Sequence, residues 1–160
     1  MKSLQFTLVL VIAAVLSGCY SISARYSFDS ETDFSRLNSY AWASLQEKTF
    51  STPESAEHYH NVMDDMLAAK GFKLNPENPD FLILTPSVKT YREGYQSLYG
   101  AVDFSKAMLR ISFVNPSSKV SIYEAAAAAY INEDATQRVK NSTIDQTVEA
   151  LLEEFPPGDN

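Results

Sequence analysis

The chain has a single cysteine, Cys19, and its position constrains how the rest of the chain can fold. With one thiol there is no internal disulfide, even in an oxidising compartment, so the part that folds must be held by a hydrophobic core. Residues 19–160 suffice for that. A chain of about 150 residues buries roughly 68–70% of its unfolded surface and requires no covalent staple.

The segment before Cys19 is a leader. Met1-Lys2 supplies a positive start, Leu4 to Leu16 is an apolar run broken only by Gln5 and Thr7, and the small residues Ser17-Gly18 follow. This is the pattern of a secretory signal peptide. The run is too short for a transmembrane helix, which needs about 20 apolar residues. Leu16-Ser17-Gly18-Cys19 resembles the bacterial lipobox, an aliphatic and two small residues before a cysteine. The resemblance implies cleavage before Cys19, with recognition through Leu16, Ser17 and Gly18. It also implies a diacylglycerol on the Cys19 thiol and an N-acyl chain, such as palmitate, on its amino group. These acyl chains take the place of a cofactor, and none other is expected. Each buried methylene contributes about 0.8 kcal/mol, so two or three chains make a lasting anchor where one does not. Tyr20 follows the cysteine, where an Asp would mark retention at the inner membrane in enterobacterial sorting. The expected location is therefore the outer membrane, with the domain facing the periplasm.

Charge narrows the partners. The formal net charge is −7, and loss of Lys2 with the leader makes the remainder more acidic still. Such a surface is repelled by nucleic acid phosphates and anionic headgroups. A hydrophobic fraction of 45% argues for a folded domain rather than a disordered tail.

After a tether at 19–24, Arg25 to Asp29 alternates aromatic and polar residues and reads as a strand, and a second is expected around Ser39 to Trp42. Thr52-Pro53-Glu54 is a helix start. Ala56, Tyr59, Val62, Met63, Met66 and Leu67 then form one apolar face, and Gly71 supplies the left-handed cap. Asn75 to Pro79 is a turn, and Phe81 to Leu84 a buried strand continuing past Pro86, which suits an edge or bulge. Leu109, Ile111 and Phe113 alternate with polar residues, Asn115 to Ser118 turns the chain, and a returning strand starts at Val120. Ala125 to Ala129 favours helix by propensity. The run nevertheless extends a β-branched strand and is too short for a helix of its own, so strand is expected, with small side chains where a helix packs closely. A last helix is expected near 142 to 154, capped by Ser142 and Asp145 and carrying Ile144, Val148, Leu151, Leu152 and Phe155. Asn141-Ser142-Thr143 is formally a glycosylation sequon, which a bacterial lipobox makes irrelevant. The order β-β-α-β-β-β-α predicts an α+β two-layer sandwich. Its sheet is mainly antiparallel or mixed, with both amphipathic helices on one face. The single domain spans 25–157, with a short tail at 158–160.

Asp33-Phe34-Ser35, Tyr40-Ala41-Trp42, Gly71-Phe72, Pro79-Asp80-Phe81-Leu82, the Leu109 to Tyr123 hairpin and Phe155-Pro156-Pro157 occur in that order. Together they resemble the bacterial lipoprotein family catalogued as domain of unknown function 4136. Leu37, Asn115, Tyr123 and the alanines after it depart from the residues frequent there. The resemblance implies an envelope lipoprotein with an α+β domain and carries over no catalytic residue.

Candidate chemistry is sparse. His58 and His60, two apart on a helix, point about 200° away from each other and do not share a metal. Adjacent carboxylates diverge in the same way at Asp64-Asp65 and Glu153-Glu154, as expected of solvated faces. No nucleophile elbow, phosphate loop, zinc-protease helix or dinucleotide fingerprint is present, so no enzyme is expected. Tyr91, Tyr95 and Tyr99 stand out in a polar segment between two strands. One reading is a loop or hairpin whose tyrosines pack back on the sheet. The other is a contact surface for another envelope protein, since tyrosine gives large contact area at low entropic loss. Their spacing of four would also suit one side of a helix, against which Gly94 and Gly100 argue. A small-ligand or lipid-binding pocket between helices and sheet is the alternative class of function.

Overall fold

A computed structural model describes residues 22, 24–43, 50, 52–84, 89–97, 100–131 and 134–158, with backbone alone for 89–97, 100–105 and Ile131. The leader with Leu16, Ser17 and Gly18, the acylation site Cys19, and the positions of Pro86 and Tyr99 lie outside the described residues.

Among the described residues one mixed sheet is backed by two helices. In chain order the elements are β1 (Ala24–Phe28), β2 (Ser39–Trp42), α1 (Pro53–Ala69), β3 (Lys73–Leu74), β4 (Phe81–Leu84), β5 (Lys89–Ser97), β6 (Gly100–Val114), β7 (Ser121–Ile131) and α2 (Gln137–Leu152). The expected α+β sandwich and its element order are present, with the two-residue β3 and the arm strand β5 added. Across the sheet the order is β1-β7-β6-β4-β2-β3, and β5 also pairs with β6. β2 runs parallel to β3 and β4; the other pairings are antiparallel.

The expected start and end of α1 are both realised. Thr52 Oγ1 accepts the Ser55 amide at 3.2 Å and Pro53 opens the helix. At the other end Gly71 has φ +94°, so that its amide reaches the Ala68 carbonyl and the Phe72 amide the Leu67 carbonyl, each at 3.0 Å. The residues of the expected apolar face that are fully buried are Tyr59, Met63 and Leu67.

The last helix begins earlier than expected. It starts at Gln137 after Thr136, so Ser142 and Asp145 are interior positions rather than a cap. Hydroxyls there bond back along the helix: Thr143 Oγ1 donates to the Val139 carbonyl at 3.1 Å and Thr147 Oγ1 to the Thr143 carbonyl at 2.6 Å. Ser142 Oγ accepts from Gln146 Nε2.

Strand alternation sorts the sheet into two faces. Ala107, Leu109, Ile111 and Phe113 on β6 are buried, as are Tyr123, Ala125, Ala127 and Ala129 on β7. The alanine run is thus strand, and its odd members lie under α2. At the far end Phe155 lies within 4.6–6.1 Å, centroid to centroid, of Phe34, Phe72, Phe81, Phe113 and Tyr123. Tyr123 also donates its hydroxyl to the Leu151 carbonyl at 2.9 Å, tying sheet to α2. Asn115, in the β6–β7 turn, accepts the Ser117 and Ser118 amides at 2.9 and 3.0 Å.

Candidate interaction surface

β6 is long enough to be shared along one edge. Its C-terminal part pairs with β4 at Ser112–Val114, and its N-terminal part pairs with β5 from Met108 to Gly100. Leu84 stands opposite Ser112, and Lys89 opposite Met108. The β4–β5 side therefore holds one residue more than β6 between these pairs.

The segment with Tyr91 and Tyr95 is therefore a strand, not a helix, and forms a β-hairpin arm with the start of β6. Tyr91 is in register with Lys106, Glu93 with Phe104 and Tyr95 with Val102. Lys106 is in turn in register with Tyr130. Residues directly opposite in an antiparallel pair share a face. Ala107 and Ala129 face the helices, so the set at Tyr91, Glu93, Tyr95, Val102, Phe104, Lys106 and Tyr130 belongs to the opposite face.

The apolar parity thus reverses along β6. Near the helices the odd positions are apolar; in the arm the aromatic and β-branched residues are even, and the odd positions hold Asp103 and Ser105. Tyr130 and Met108, on the outward face, are 47% and 39% exposed. The Lys106 ammonium sits 5.8 Å from the Tyr130 ring centroid. Between 89 and 106 the charges are Lys89, Arg92 and Lys106 against Glu93 and Asp103, so the arm lacks the acidity of the whole chain.

A polar cluster lies between α1 and β2. Asp64 Oδ1 accepts the Tyr40 hydroxyl at 2.7 Å and the Trp42 indole N–H at 2.9 Å. The His60 ring stacks edge-on with Trp42 at 4.1 Å. Burial holds the His60 pKa below its usual value, with Asp64 pulling weakly the other way. Burial, then the hydrogen bond to Asp64, raises that of Tyr40. Tyr59 is fully buried among Phe50, Trp42 and His60. Its hydroxyl has no hydrogen-bond partner among the described residues, and burial raises its pKa. His58 points elsewhere, with Nε2 2.6 Å from Asp145 Oδ1 on α2. The two histidines diverge as their spacing requires. Of the paired carboxylates, Asp65, Glu153 and Glu154 are exposed, whereas Asp64 has a structural task that its sequence context did not reveal. Among the described residues no group of three His, Cys, Asp or Glu could hold a metal, and no helix is long and apolar enough to cross a membrane.

The family model for a domain of unknown function, DUF4136, matches residues 24–157. The chain belongs to the DUF4136 family. Asp80, one of its landmark residues, has a clear local role: its Oδ2 accepts the Asn38 amide, the Ser39 amide and the Ser39 hydroxyl, each at 2.9 Å. The Asn38 hydrogen bond, followed by those from Ser39 and opposed by partial burial, keeps its carboxyl below the usual range.

No curated protein matches this DUF4136 chain. Among solved structures it is similar to a PDZ domain protein from Parabacteroides distasonis, with TM-score 0.60 and 12% identity over 87% of this chain. It spans only 36% of that protein. The PelC dodecamer from Paraburkholderia phytofirmans gives TM-score 0.53 and 12% identity, over 81% of this chain and 96% of that one. A minor lipoprotein from Acinetobacter baumannii gives 0.51 and 13%, over 74% and 90%. At these identities the likeness is one of fold.

Proposed function

We propose that the DUF4136 chain is a bacterial envelope lipoprotein, anchored through acyl chains on Cys19 in the outer membrane. Its domain is a non-catalytic interaction module in the periplasm. The observation that carries this reading is the β5–β6 arm, whose apolar positions fall on the face that the helices leave uncovered. Tyrosine and phenylalanine at positions such as Tyr91, Tyr95 and Phe104 are the residue types that recognition surfaces use, since they give large contact area at low entropic loss. The lipobox and the fold shared with a minor lipoprotein support the address.

A pocket between helices and sheet is less well supported, because Phe155 and its aromatic neighbours occupy that interior. In-cell photocrosslinking from positions 91, 95 and 99 of the acylated protein tests the reading. Capture of an envelope component, a discrete protein or membrane lipid, is expected; diffuse background from all three positions would remove the arm as a recognition surface.

A further inference from the structure

The arm and the anchor leave the sheet at the same end. β1 begins at Ala24, opposite Ala127, and runs from there towards Phe28, opposite Tyr123. The chain preceding Ala24 therefore departs on the side of Ala128 to Ile131, where β5 and β6 project.

The lengths of arm and tether limit how the domain can sit on a bilayer. From Leu109, opposite Ala127, to Gly100 the arm continues for about nine residues, or roughly 30 Å at strand rise. The tether from Cys19 to Ala24 has five steps and reaches at most roughly 17 Å. An anchored Cys19 thus sits nearer to the sheet than the end of the arm does. The arm clears the bilayer only if the strand axis lies more than roughly 55° from the membrane normal.

We propose that the β5–β6 hairpin is a second membrane contact, laying its Tyr91, Tyr95, Val102, Phe104 and Tyr130 face into the lipid interface beside the acyl anchor. This rests on the reading of Cys19 as acylated. Aromatic residues with one polar end are suited to the headgroup level. By strand parity the aromatic positions of the hairpin all fall on this one face, interspersed with Lys89, Glu93 and Lys106, whereas the alternate positions, among them Arg92, Gln96, Asp103 and Ser105, hold no aromatic residue. Three cations against two anions free the arm of the repulsion that the acidic remainder would meet at an anionic surface. The contact fixes the orientation of a domain that acyl chains alone would leave free to rotate.

The test uses the full acylated protein in vesicles of phosphatidylcholine and phosphatidylethanolamine. Acylation removes the native thiol, so Val102→Cys and Ser117→Cys each take one environment-sensitive fluorophore. Ser117 lies in the exposed β6–β7 turn at the opposite end of the sheet. The label at 102 is expected to shift to the blue and to be quenched several-fold more by spin-labelled lipid than that at 117. Adding Tyr91→Ser, Tyr95→Ser and Phe104→Ser brings it to the value at 117. Equal, water-like signals at both sites on the otherwise unaltered arm overturn the proposal. If crosslinking from 91 and 95 still captures a discrete protein in that case, the recognition reading survives with a protein as the occupant. If neither occurs, both fall.

Discussion

Asp64, on the second half of α1, accepts the indole N–H of Trp42 from β2 at 2.9 Å, and the same carboxylate oxygen accepts the Tyr40 hydroxyl. Tyr40 and Trp42 are two apart on a strand and so share a face, which is why one helical carboxylate can serve both. Removing it leaves a phenol and an indole N–H without an acceptor. Hydrogen bonds to charged groups are worth about 1.5–3 kcal/mol each. Because Asp64 is only half-buried and water recovers part of the loss, Asp64→Ala is expected to lower unfolding stability by roughly 2–4 kcal/mol rather than the full sum. Urea denaturation checks this, with Asp64→Asn losing less because one acceptor oxygen remains. A loss below about 0.5 kcal/mol in the alanine variant would show that water replaces the carboxylate.

Acid should weaken the fold in two stages of the same sign. His60 has a lowered folded pKa, so its contribution is complete above the unfolded value of 6.5 and is lost as pH falls through the folded one. Asp80 is also lowered, so its contribution is complete above the unfolded 3.8 and disappears further into acid. Stability measured in urea between pH 8 and 3 is expected to fall first below about pH 6.5 and again below about pH 4. His60→Gln should remove the first decline and Asp80→Asn the second. A variant that keeps its own step would show the decline to arise elsewhere.

The alanines of β7 test how closely α2 sits on the sheet. Ala127 is 1% exposed, with Ala24 and Leu109 as its strand neighbours. Extra methylenes in such a site force side chains off their rotamers, and Ala127→Leu is expected to lose about 1–3 kcal/mol. Ala128→Leu, on the outer face, should stay within about 0.5 kcal/mol of the parent. Thermal unfolding distinguishes them; similar melting temperatures would mean that the helix layer yields.

How far the fold is legible in the sequence depends on how local the deciding interaction is. Helix α1 carries its own start and stop in Thr52, Pro53 and Gly71, and both ends lie where expected. The alanine run resolves to strand because Ser121 to Ile131 pairs along its length with β6 and in part with β1, an attachment that outweighs alanine's helix propensity. Helix α2 conceals its first turn, since Gln137 to Asn141 offers Val139 as its only apolar residue and the amphipathic stripe starts later. The tyrosine segment is ambiguous for a geometric reason. A spacing of four is both one helical turn and two strand repeats, and only the pairing of 89–97 with 100–108 decides between them. Asp64 and Asp80 are invisible in the sequence as structural acceptors, because their donors lie 22 to 42 residues away, in β2 and at Asn38 just before it.

The anchor yields the simplest prediction and the one on which the arm's geometry depends. If Cys19 is acylated, metabolic labelling with a fatty acid marks the wild-type chain and Cys19→Ser abolishes the label. Each methylene withdrawn from the bilayer is worth about 0.8 kcal/mol, so losing two or three chains far exceeds anything that the few residues of the proposed contact contribute at an interface. Cys19→Ser is therefore expected to leave the membrane fraction for the soluble one, even with an intact arm. Tyr91→Ser with Tyr95→Ser and Phe104→Ser should remain membrane-bound through the lipid. In that variant the arm should instead become more accessible to protease added from the periplasmic side. A Cys19→Ser protein that keeps both its label and its membrane association would place the attachment elsewhere and deprive the tether-length argument of its origin.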